Sequence, residues 1–282
     1  MKLAMKPENL NGKVVVITGA GGVICGAMAK AVAACGAKVC VLDRLIDKAN
    51  EVAEEIVKDG GIAKGYCNNV LDREDLKRVH EEINRDFGKV DILINGAGGN
   101  SPKATTSQEY YEEKKSEDEI SFFDLKQEGV EFVFDLNFLG TFLPCQEFGK
   151  DMLGRKGCSI LNVSSMNAFT PLTKIPAYSA AKSAVSNFTK WLAVHFSKEG
   201  IRVNAIAPGF LVTAQNQALL YNADGTPTAR TEKILAATPM ERFGDPEELL
   251  AATLFLIDEG CSSFITGVVL PIDGGFSSYA GV

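Results

Sequence analysis

The chain has 282 residues, of which 46% are hydrophobic, and carries a formal net charge of −7. This length and apolar content suit one large α/β domain or two small ones with a well-filled core. Because no basic block offsets the acidic balance, we expect no nucleic-acid partner, whereas a small anionic ligand would need only a few local cations.

Cysteine and histidine usage limits the redox and metal chemistry of the chain. Its seven cysteines are odd in number, have no CxxC spacing and lie mostly in apolar runs, so we expect reduced thiols in an intracellular protein. With two histidines, a histidine-based zinc site is not expected, and we assign no metal. The first residues lack an apolar signal core and no run reaches transmembrane length, which predicts a cytoplasmic protein without membrane association.

Short apolar runs alternate with amphipathic stretches along almost the whole chain. The runs predict strands at Val14–Ile17, Lys38–Leu42, Ala63–Cys67, Ile92–Ile94, Ser159–Val163, Arg202–Ile206 and Val268–Pro271. The stretches between them predict helices at Ala27–Ala34, Lys48–Lys58, Arg73–Phe87, Phe134–Met152, Ala177–Lys198 and Pro246–Ile257. This alternation indicates one α/β domain over residues 1–282, a Rossmann-like, doubly wound parallel sheet of about seven strands with helices on both faces.

Two long polar connections interrupt this alternation of strands and helices, at residues 99–130 and 210–245. Long connections in compact domains are usually binding loops or lids. Both follow a predicted strand and therefore leave the carboxyl edge of the parallel sheet, where ligands bind in such folds. We expect both to act as lids over a substrate pocket, and a solvated surface excursion is the alternative for the first.

A glycine-rich turn, TGAGGVICG, follows the first predicted strand. Gly19, Gly21 and Gly22 would let a pyrophosphate approach the backbone and rest on the N-terminus of the next helix, and Val23 and Ile24, which follow them, are further candidate cofactor-binding residues. Taken alone this motif is weak, because glycine-rich turns also occur without ligands.

Asp43, at the end of the second predicted strand, strengthens the case for a dinucleotide. A carboxylate there would bind the adenosine ribose 2′-hydroxyl and repel a 2′-phosphate, which favours NAD over NADP. Arg44 could instead attract that phosphate, so NADP stays open. The alternative role for Asp43 is a helix N-cap.

Residues after the third and fourth predicted strands extend this candidate cofactor site. Asn69 and Val70 could contact the adenine. Small residues after the fourth strand would let the ribose and nicotinamide lie against the backbone. The candidates there are Asn95, Gly96, Ala97 and Gly98.

Tyr178 and Lys182 are spaced i, i+4 on a predicted helix and so share one face. A lysine ammonium near a phenol lowers the pKa of the tyrosine and allows proton exchange with an alcohol near neutral pH. Ser165 lies thirteen residues earlier, just past a strand end, where its hydroxyl could hold a substrate carbonyl. A bare YxxxK is common by chance, but its combination with a strand, a serine pair and a long helix is not.

With these motifs the sequence resembles the short-chain dehydrogenase/reductase family over nearly its whole length. The resemblance implies hydride transfer through NAD(H) or NADP(H) to a small-molecule substrate, in a homodimer or homotetramer. It implies a catalytic set of Asn137, Ser165, Tyr178 and Lys182, in which Asn137 holds a water in the proton relay to the lysine.

The resemblance also extends the cofactor site and exposes three departures. Beside the nicotinamide it implies contacts from Pro208, Gly209 and Thr213, and it adds Tyr178 and Lys182 to the cofactor-binding residues. Asn204 belongs to the same motif, RVNAIAPG. The departures are Val23 and Cys25, where the family turn has glycine, and Gly96, where the family has asparagine.

A narrower resemblance is to the D-mannonate oxidoreductases of this family, also called fructuronate reductases. It rests on the 99–130 insertion, the stretch NAFTPLTKIPAYSAAK and the ending IDGGFSSYAGV. It implies NAD-linked interconversion of D-mannonate and D-fructuronate in hexuronate breakdown.

A hexuronate substrate needs hydroxyl contacts and a partner for its carboxylate. Asn100 and Asn167 could bind sugar hydroxyls beside Ser165 and Tyr178, and Lys103 could bind the carboxylate. The other cations on or near the lids are Lys174, Arg230 and Arg242.

Two other functions stay open. One is a dehydrogenase of the same fold acting on another sugar acid, a neutral polyol or a small ketone. The other is an NAD-binding regulator without turnover, against which the complete Asn–Ser–Tyr–Lys set argues.

Overall fold

The computed structural model describes residues 8–213 and 220–281. Residues 214–219, within the second predicted lid, lie outside the described residues, as do residues 1–7 and 282.

Seven parallel strands form one sheet in the order β3-β2-β1-β4-β5-β6-β7. They are β1 (Val14–Thr18), β2 (Lys38–Asp43), β3 (Ile62–Cys67), β4 (Ile92–Asn95), β5 (Ser159–Val163), β6 (Arg202–Pro208) and β7 (Val269–Ile272). This confirms the predicted doubly wound sheet. The predicted strand bounds are within two residues of the observed ones, because the buried apolar runs mark the strand centres better than their ends.

The α-helices lie between and after these strands. They are α1 (Val23–Ala34), α2 (Ile46–Lys58), α3 (Arg73–Asp86), α4 (Gln127–Phe134), α5 (Gly140–Met152), α6 (Pro176–His195), α7 (Ala229–Ala236), α8 (Leu250–Ile257) and the short α9 (Glu259–Ser262). Among the described residues, no helix is both long enough and apolar enough to cross a membrane.

Four helix predictions need correction, one of them Ala177–Lys198, which ends at His195 and is followed by a 3-10 turn over Ser197–Glu199. The predicted helix Phe134–Met152 is the end of α4, a π-helical turn over Asp135–Leu139, and α5. The first helix begins at Val23 rather than Ala27, so it reaches the glycine turn. The predicted helix Pro246–Ile257 opens as a 3-10 turn over Pro246–Leu249 before α8.

The sheet separates two hydrophobic cores, and β1 contributes to both because successive side chains of a strand point to opposite faces. Val15 and Ile17 pack with α1, α2 and α8, whereas Val14 and Val16 pack with α3, α5 and α6. All five β1 residues are buried. Truncating Ile17 to alanine is therefore expected to cost about 2–5 kcal/mol.

The first long connection is fixed to the domain at both ends. Ser101 caps a 3-10 turn over Pro102–Ala104, and Ala104 is fully buried. Further along, the Ser107 and Ile120 backbones are hydrogen-bonded at 2.9 Å and close the exposed tip between them. The second connection contains α7, so neither is a featureless loop.

Candidate active site

The turn between β1 and α1 presents bare backbone at the start of a helix. Gly22 is the N-cap of α1 and has no side chain to bond the first N–H groups, which suits an anionic ligand. Gly19 has φ +66°, and a Cβ there would lie 2.9 Å from Ala97 Cα, so the position requires glycine. Val23 is 38% exposed at this helix start, and Ile24 packs against the core.

Asp43 is tied to the same turn. Its Oδ2 accepts from the Gly21 N–H at 3.1 Å, and its Oδ1 accepts from the Leu45 N–H at 3.0 Å. Leu45, not Asp43, is the N-cap of α2, so the alternative role of Asp43 as N-cap is not observed. Arg44 is exposed beside it.

The residues after β3 follow a tight turn toward α3. Asn69 is exposed, its N–H donates to Asp75 Oδ2 at 2.7 Å, and its Oδ1 accepts from the Leu71 N–H. Val70 is buried, and a Cβ at Gly140 would lie 3.1 Å from Val70 Cγ2. Because β3 ends at Cys67, both residues lie at the carboxyl edge of the sheet, and Asn69 is exposed to solvent.

The loop after β4 is held on the glycine turn by Thr18. The Thr18 hydroxyl accepts from the N–H groups of Gly96 and Ala97 at 3.1 and 3.2 Å. The side chain of Asn95 points away from this edge, because its Nδ2 donates to Asn162 Oδ1 at 2.9 Å and to Cys145 Sγ at 3.1 Å. Within the described residues, its Oδ1 is buried and has no hydrogen-bond partner.

Asn137 occupies the π-helical turn and is fully buried. Its Nδ2 donates to the carbonyls of Gly99 and Val133, both at 2.7 Å, and its Oδ1 accepts from the Gly99 N–H at 3.2 Å. Single π-turns inside helices are frequent at functional sites. This turn fixes the Asn137 amide against the loop after β4.

Gly98 shows how closely three elements approach one another. A Cβ at this position would lie 2.7 Å from Asn137 Oδ1 and 3.1 Å from Lys182 Nζ. The loop after β4, the π-turn and α6 thus meet around one small residue. The predicted residues Asn137 and Lys182 are brought to the same place.

Lys182 is buried on α6, and its Nζ donates to the carbonyl of Val163 at 2.8 Å. Burial lowers the pKa of Lys182 to about 8, since a charged ammonium is costly away from water. A weaker electrostatic interaction with Cys25 works in the opposite direction.

The Ser165 side chain lies next to Tyr178. Burial raises the pKa of Tyr178, and hydrogen bonding by Ser165 opposes that rise. Lys182 Nζ lies 5.7 Å from the centre of the tyrosine ring. The expected lowering of the pKa of Tyr178 by the lysine is not observed, because burial raises that pKa and the opposing effect comes from Ser165.

Asn167 has an open amide oxygen beside this cluster. Its N–H donates to Ser165 Oγ at 3.3 Å, and the residue is 3% exposed. Within residues 8–213 and 220–281, its Oδ1 has no hydrogen-bond partner. A buried, unpaired acceptor is unfavourable unless a ligand supplies a donor.

The other predicted substrate residues already have partners. Asn100 is exposed, and its Nδ2 donates to Thr105 Oγ1 at 2.9 Å. Lys103 Nζ lies 3.7 Å from Glu128 Oε1, and both side chains are well exposed. The structure therefore places both residues on the first connection and does not direct either of them toward Ser165.

Among the other cations, Arg242 is least available for a substrate. It donates to both carboxylate oxygens of Glu248, at 2.8 and 2.7 Å. Lys174 and Arg230 are exposed, and Lys174 has a left-handed backbone with φ +30°.

The motif after β6 packs against the end of β7. The Gly209 N–H donates to the Ile272 carbonyl at 2.9 Å, and a Cβ at Gly209 would lie 2.6 Å from Asp273 Cα. Asn204 bridges to the neighbouring segment, donating to Ile265 and accepting from Val268. Pro208 is buried and Thr213 is half-buried.

Sequence reasoning missed the roles of Thr18, Val163 and Asp273. Thr18 holds the loop after β4, Val163 accepts from Lys182, and Asp273 accepts from the N–H groups of Gly275 and Ser277. The threonine of TGAGG and the aspartate of IDGG are visible signals. The role of the Val163 carbonyl has no signal in the sequence.

A half-buried tyrosine lies beside a buried serine and a buried lysine at the carboxyl edge of a Rossmann-like sheet, an arrangement that suits an oxidoreductase. The model of the short chain dehydrogenase family matches residues 13–223. The protein belongs to that family.

Individual relatives cover almost the whole chain. An uncharacterized oxidoreductase of Haemophilus influenzae is 60% identical over 275 residues, which are 98% of this chain and 96% of the relative. The uncharacterized oxidoreductase UxuB of Bacillus subtilis is 53% identical over 98% of both chains. A crystal structure from Haemophilus influenzae, described provisionally as a D-mannonate oxidoreductase with bound NAD, is 60% identical, with a TM-score of 0.95 over 97% of this chain and 98% of that one.

Proposed function

We propose that the protein interconverts D-mannonate and D-fructuronate by NAD-linked hydride transfer, with Tyr178 as general acid and base. The observation that carries the proposal is the placement of Tyr178 and Lys182 on one face of α6, with Lys182 Nζ 5.7 Å from the tyrosine ring and Ser165 beside the phenol. The substrate assignment is supported by similarity to the Haemophilus influenzae structure described as a D-mannonate oxidoreductase.

The residues present fit NAD. The uncapped start of α1 suits a pyrophosphate, and the Asp43 carboxylate, fixed by Gly21 and Leu45, suits a ribose diol more than a 2′-phosphate. Bound NAD in the Haemophilus influenzae relative supports this choice. The contacts we propose come from Gly19, Gly21, Gly22, Val23, Ile24, Asp43, Arg44, Asn69, Val70, Asn95, Gly96, Ala97, Gly98, Tyr178, Lys182, Pro208, Gly209 and Thr213.

The nicotinamide supplies the hydride to the ketone carbon of fructuronate and takes it back in the reverse direction. Ser165 and Tyr178 hold the carbonyl oxygen by hydrogen bonds, and Tyr178 gives it a proton as the alkoxide forms. The neighbouring ammonium of Lys182 then stabilises the phenolate. Asn137, held by Gly99 and Val133, orders the path by which Lys182 exchanges a proton with solvent.

The substrate contacts we propose are Asn100, Lys103, Ser165, Asn167 and Tyr178. The open Oδ1 of Asn167 suits a sugar hydroxyl next to the reacting carbon. Lys103 precedes Ala104, which packs in one cluster with Tyr178. If Lys103 left its ion pair with Glu128, we propose that its ammonium would bind the substrate carboxylate. The connections 99–130 and 210–245 would act as lids over this pocket.

We also propose a homodimer or homotetramer that works in the cytoplasm. Short-chain dehydrogenases are commonly oligomeric, and α6 carries the exposed apolar side chains of Trp191 and Val194, which are 56% and 76% exposed. Light scattering of the purified protein gives its mass in solution directly.

The experiment that tests the function follows NADH absorbance with fructuronate, beside parallel reactions with NADPH and with neutral ketoses. Faster oxidation of NADH with fructuronate than with any neutral ketose, and little oxidation of NADPH, is the expected result. Turnover of neutral ketoses instead would retain the catalytic residues and reject the hexuronate substrate. NADH binding without turnover of any carbonyl would favour a regulator.

A further inference from the structure

Two of the positions at which this protein differs from its family pattern lie in contact with each other. Position 25, glycine in the family pattern, is Cys25, and position 96, asparagine in that pattern, is Gly96. A Cβ at Gly96 would clash with the sulfur of Cys25 and lie 2.9 Å from the Thr18 carbonyl oxygen. The side chain gained at one position thus occupies the space given up at the other.

Cys25 is a packed side chain in the first turn of α1. It is 5% exposed and belongs to the core cluster that includes Ile17 and Ala20. Burial raises the pKa of its thiol to about 12, so the sulfur stays protonated and neutral near Lys182. It therefore acts through its volume rather than through charge or nucleophilicity.

The contact belongs to a short interface between the glycine turn and the loop after β4. Gly19 meets Ala97 closely, Thr18 binds the N–H groups of Gly96 and Ala97, and Cys25 fills the remaining space. At its other end this loop reaches Lys182 and Asn137 through Gly98. A displacement at Gly96 would consequently be transmitted to the catalytic lysine.

We propose that Cys25 and Gly96 are a positioning pair that sets the spacing between the glycine turn and the loop after β4, and so seats the dinucleotide beside Lys182. The inference rests on the proposed dinucleotide site and is independent of the sugar substrate. It makes the two positions interdependent, because a side chain at 96 is accommodated only when the sulfur at 25 is absent.

Alanine substitutions test this dependence directly. Gly96→Ala places a methyl group against the Cys25 sulfur, so the loop must move, and we expect the dissociation constant for NADH to rise about tenfold or more. In Cys25→Ala/Gly96→Ala the sulfur is gone and the Cβ atom at position 25 is an ordinary 3.5 Å away, so the close approach that remains is the one to the Thr18 carbonyl oxygen, at 2.9 Å. We expect this double variant to bind NADH at least about threefold more tightly than Gly96→Ala.

Gly98→Ala provides the matched control, because its methyl group would meet Asn137 and Lys182 rather than Cys25. Cys25→Ala should not rescue it. Fluorescence titration with NADH measures binding, and thermal unfolding of the same samples measures stability separately. If Gly96→Ala folds poorly, Cys25→Val approaches the contact from the other side, and its extra methyl group should weaken NADH binding while Gly96 is retained.

Equal effects of Gly96→Ala in the wild-type and Cys25→Ala backgrounds would overturn the pair, as would recovery of stability without recovery of NADH affinity. Rescue confined to the 25/96 combination supports it. Because these titrations contain no sugar, wild-type NADH binding without fructuronate turnover would reject the hexuronate proposal alone. Absence of wild-type NADH binding would reject both proposals.

Discussion

Lys233 donates to both carboxylate oxygens of Glu109, at 2.8 and 3.0 Å, and so joins the two long connections at the carboxyl edge of the sheet. Lys233 lies on α7 and Glu109 lies in the first connection, 124 residues away in the sequence. The hydrogen bond from Lys233 lowers the pKa of Glu109. Nearby, the Thr106 N–H donates to the Lys174 carbonyl at 2.8 Å and fixes the first connection to the loop before α6.

We expect Glu109→Gln to raise KM for the sugar substrate by a few-fold, with a smaller effect on kcat, because the substrate pocket loses a link between its two lids. Both side chains of the pair are partly exposed, so added salt should raise the wild-type KM in the same direction. Measuring KM against salt concentration checks this. Glu112→Gln is the control, because Glu112 pairs with Lys115 inside the first connection. Equal salt dependence of KM in the wild type and in Glu109→Gln would contradict the link between the two connections.

Tyr178→Phe removes the hydroxyl that we propose moves the proton, but it retains the ring that packs near Ala104 and Ala177. We expect kcat to fall by about 10²–10⁴-fold, while NADH still binds. Turnover assays measure the loss of kcat, and fluorescence titration with NADH shows separately whether the cofactor still binds. Tyr110→Phe, on the exposed first connection, should leave kcat and NADH binding unchanged. A Tyr178→Phe enzyme with near-normal kcat would refute the assignment of Tyr178.

The features predicted from sequence are those encoded by local patterns. Apolar runs located all seven strands: the five central ones are mostly buried and so must be apolar, and the partly exposed edge strands β3 and β7 are still apolar enough to be recognised. The i, i+4 spacing put Tyr178 and Lys182 on one helical face, as the structure has them. Ser165 reaches the same edge of the sheet because β5 ends at Val163, just before it.

The features that were missed depend on contacts between distant segments. The π-turn around Asn137 interrupts a hydrophobic pattern that reads as one continuous helix, and its bonds to Gly99 appear only in three dimensions. Likewise, the inward direction of Asn95 depends on Asn162 in the neighbouring strand. The rise in the pKa of Tyr178 follows from burial, which the YxxxK spacing does not reveal.

Lys103→Ala tests whether this lysine binds the substrate carboxylate. We expect KM for fructuronate to rise by more than KM for a neutral ketose, because only the first carries a charge for the ammonium. Lys115→Ala is the matched control, an exposed lysine of the same connection that pairs with Glu112. Equal changes of KM for both substrates would remove Lys103 as the carboxylate ligand.

Lys182→Met should reveal the cost of burying the lysine as a pH-dependent difference in stability. The pKa of Lys182 is lowered from 10.5 to about 8 in the folded protein, so between these pH values the unfolded protein binds more protons. Stability of the wild type relative to Lys182→Met therefore rises with pH across this window. The expected gain is about 2 kcal/mol between roughly pH 7 and pH 9.5.

Urea unfolding of both proteins at several pH values measures this gain. The two unfolding curves should approach each other, or cross in favour of the wild type, as the pH increases. Lys190→Met, at an exposed position of the same helix, controls for the loss of one positive charge. A stability difference between wild type and Lys182→Met that stays constant with pH would show that the buried ammonium keeps an ordinary pKa, and that the Val163 carbonyl offsets the cost of its burial.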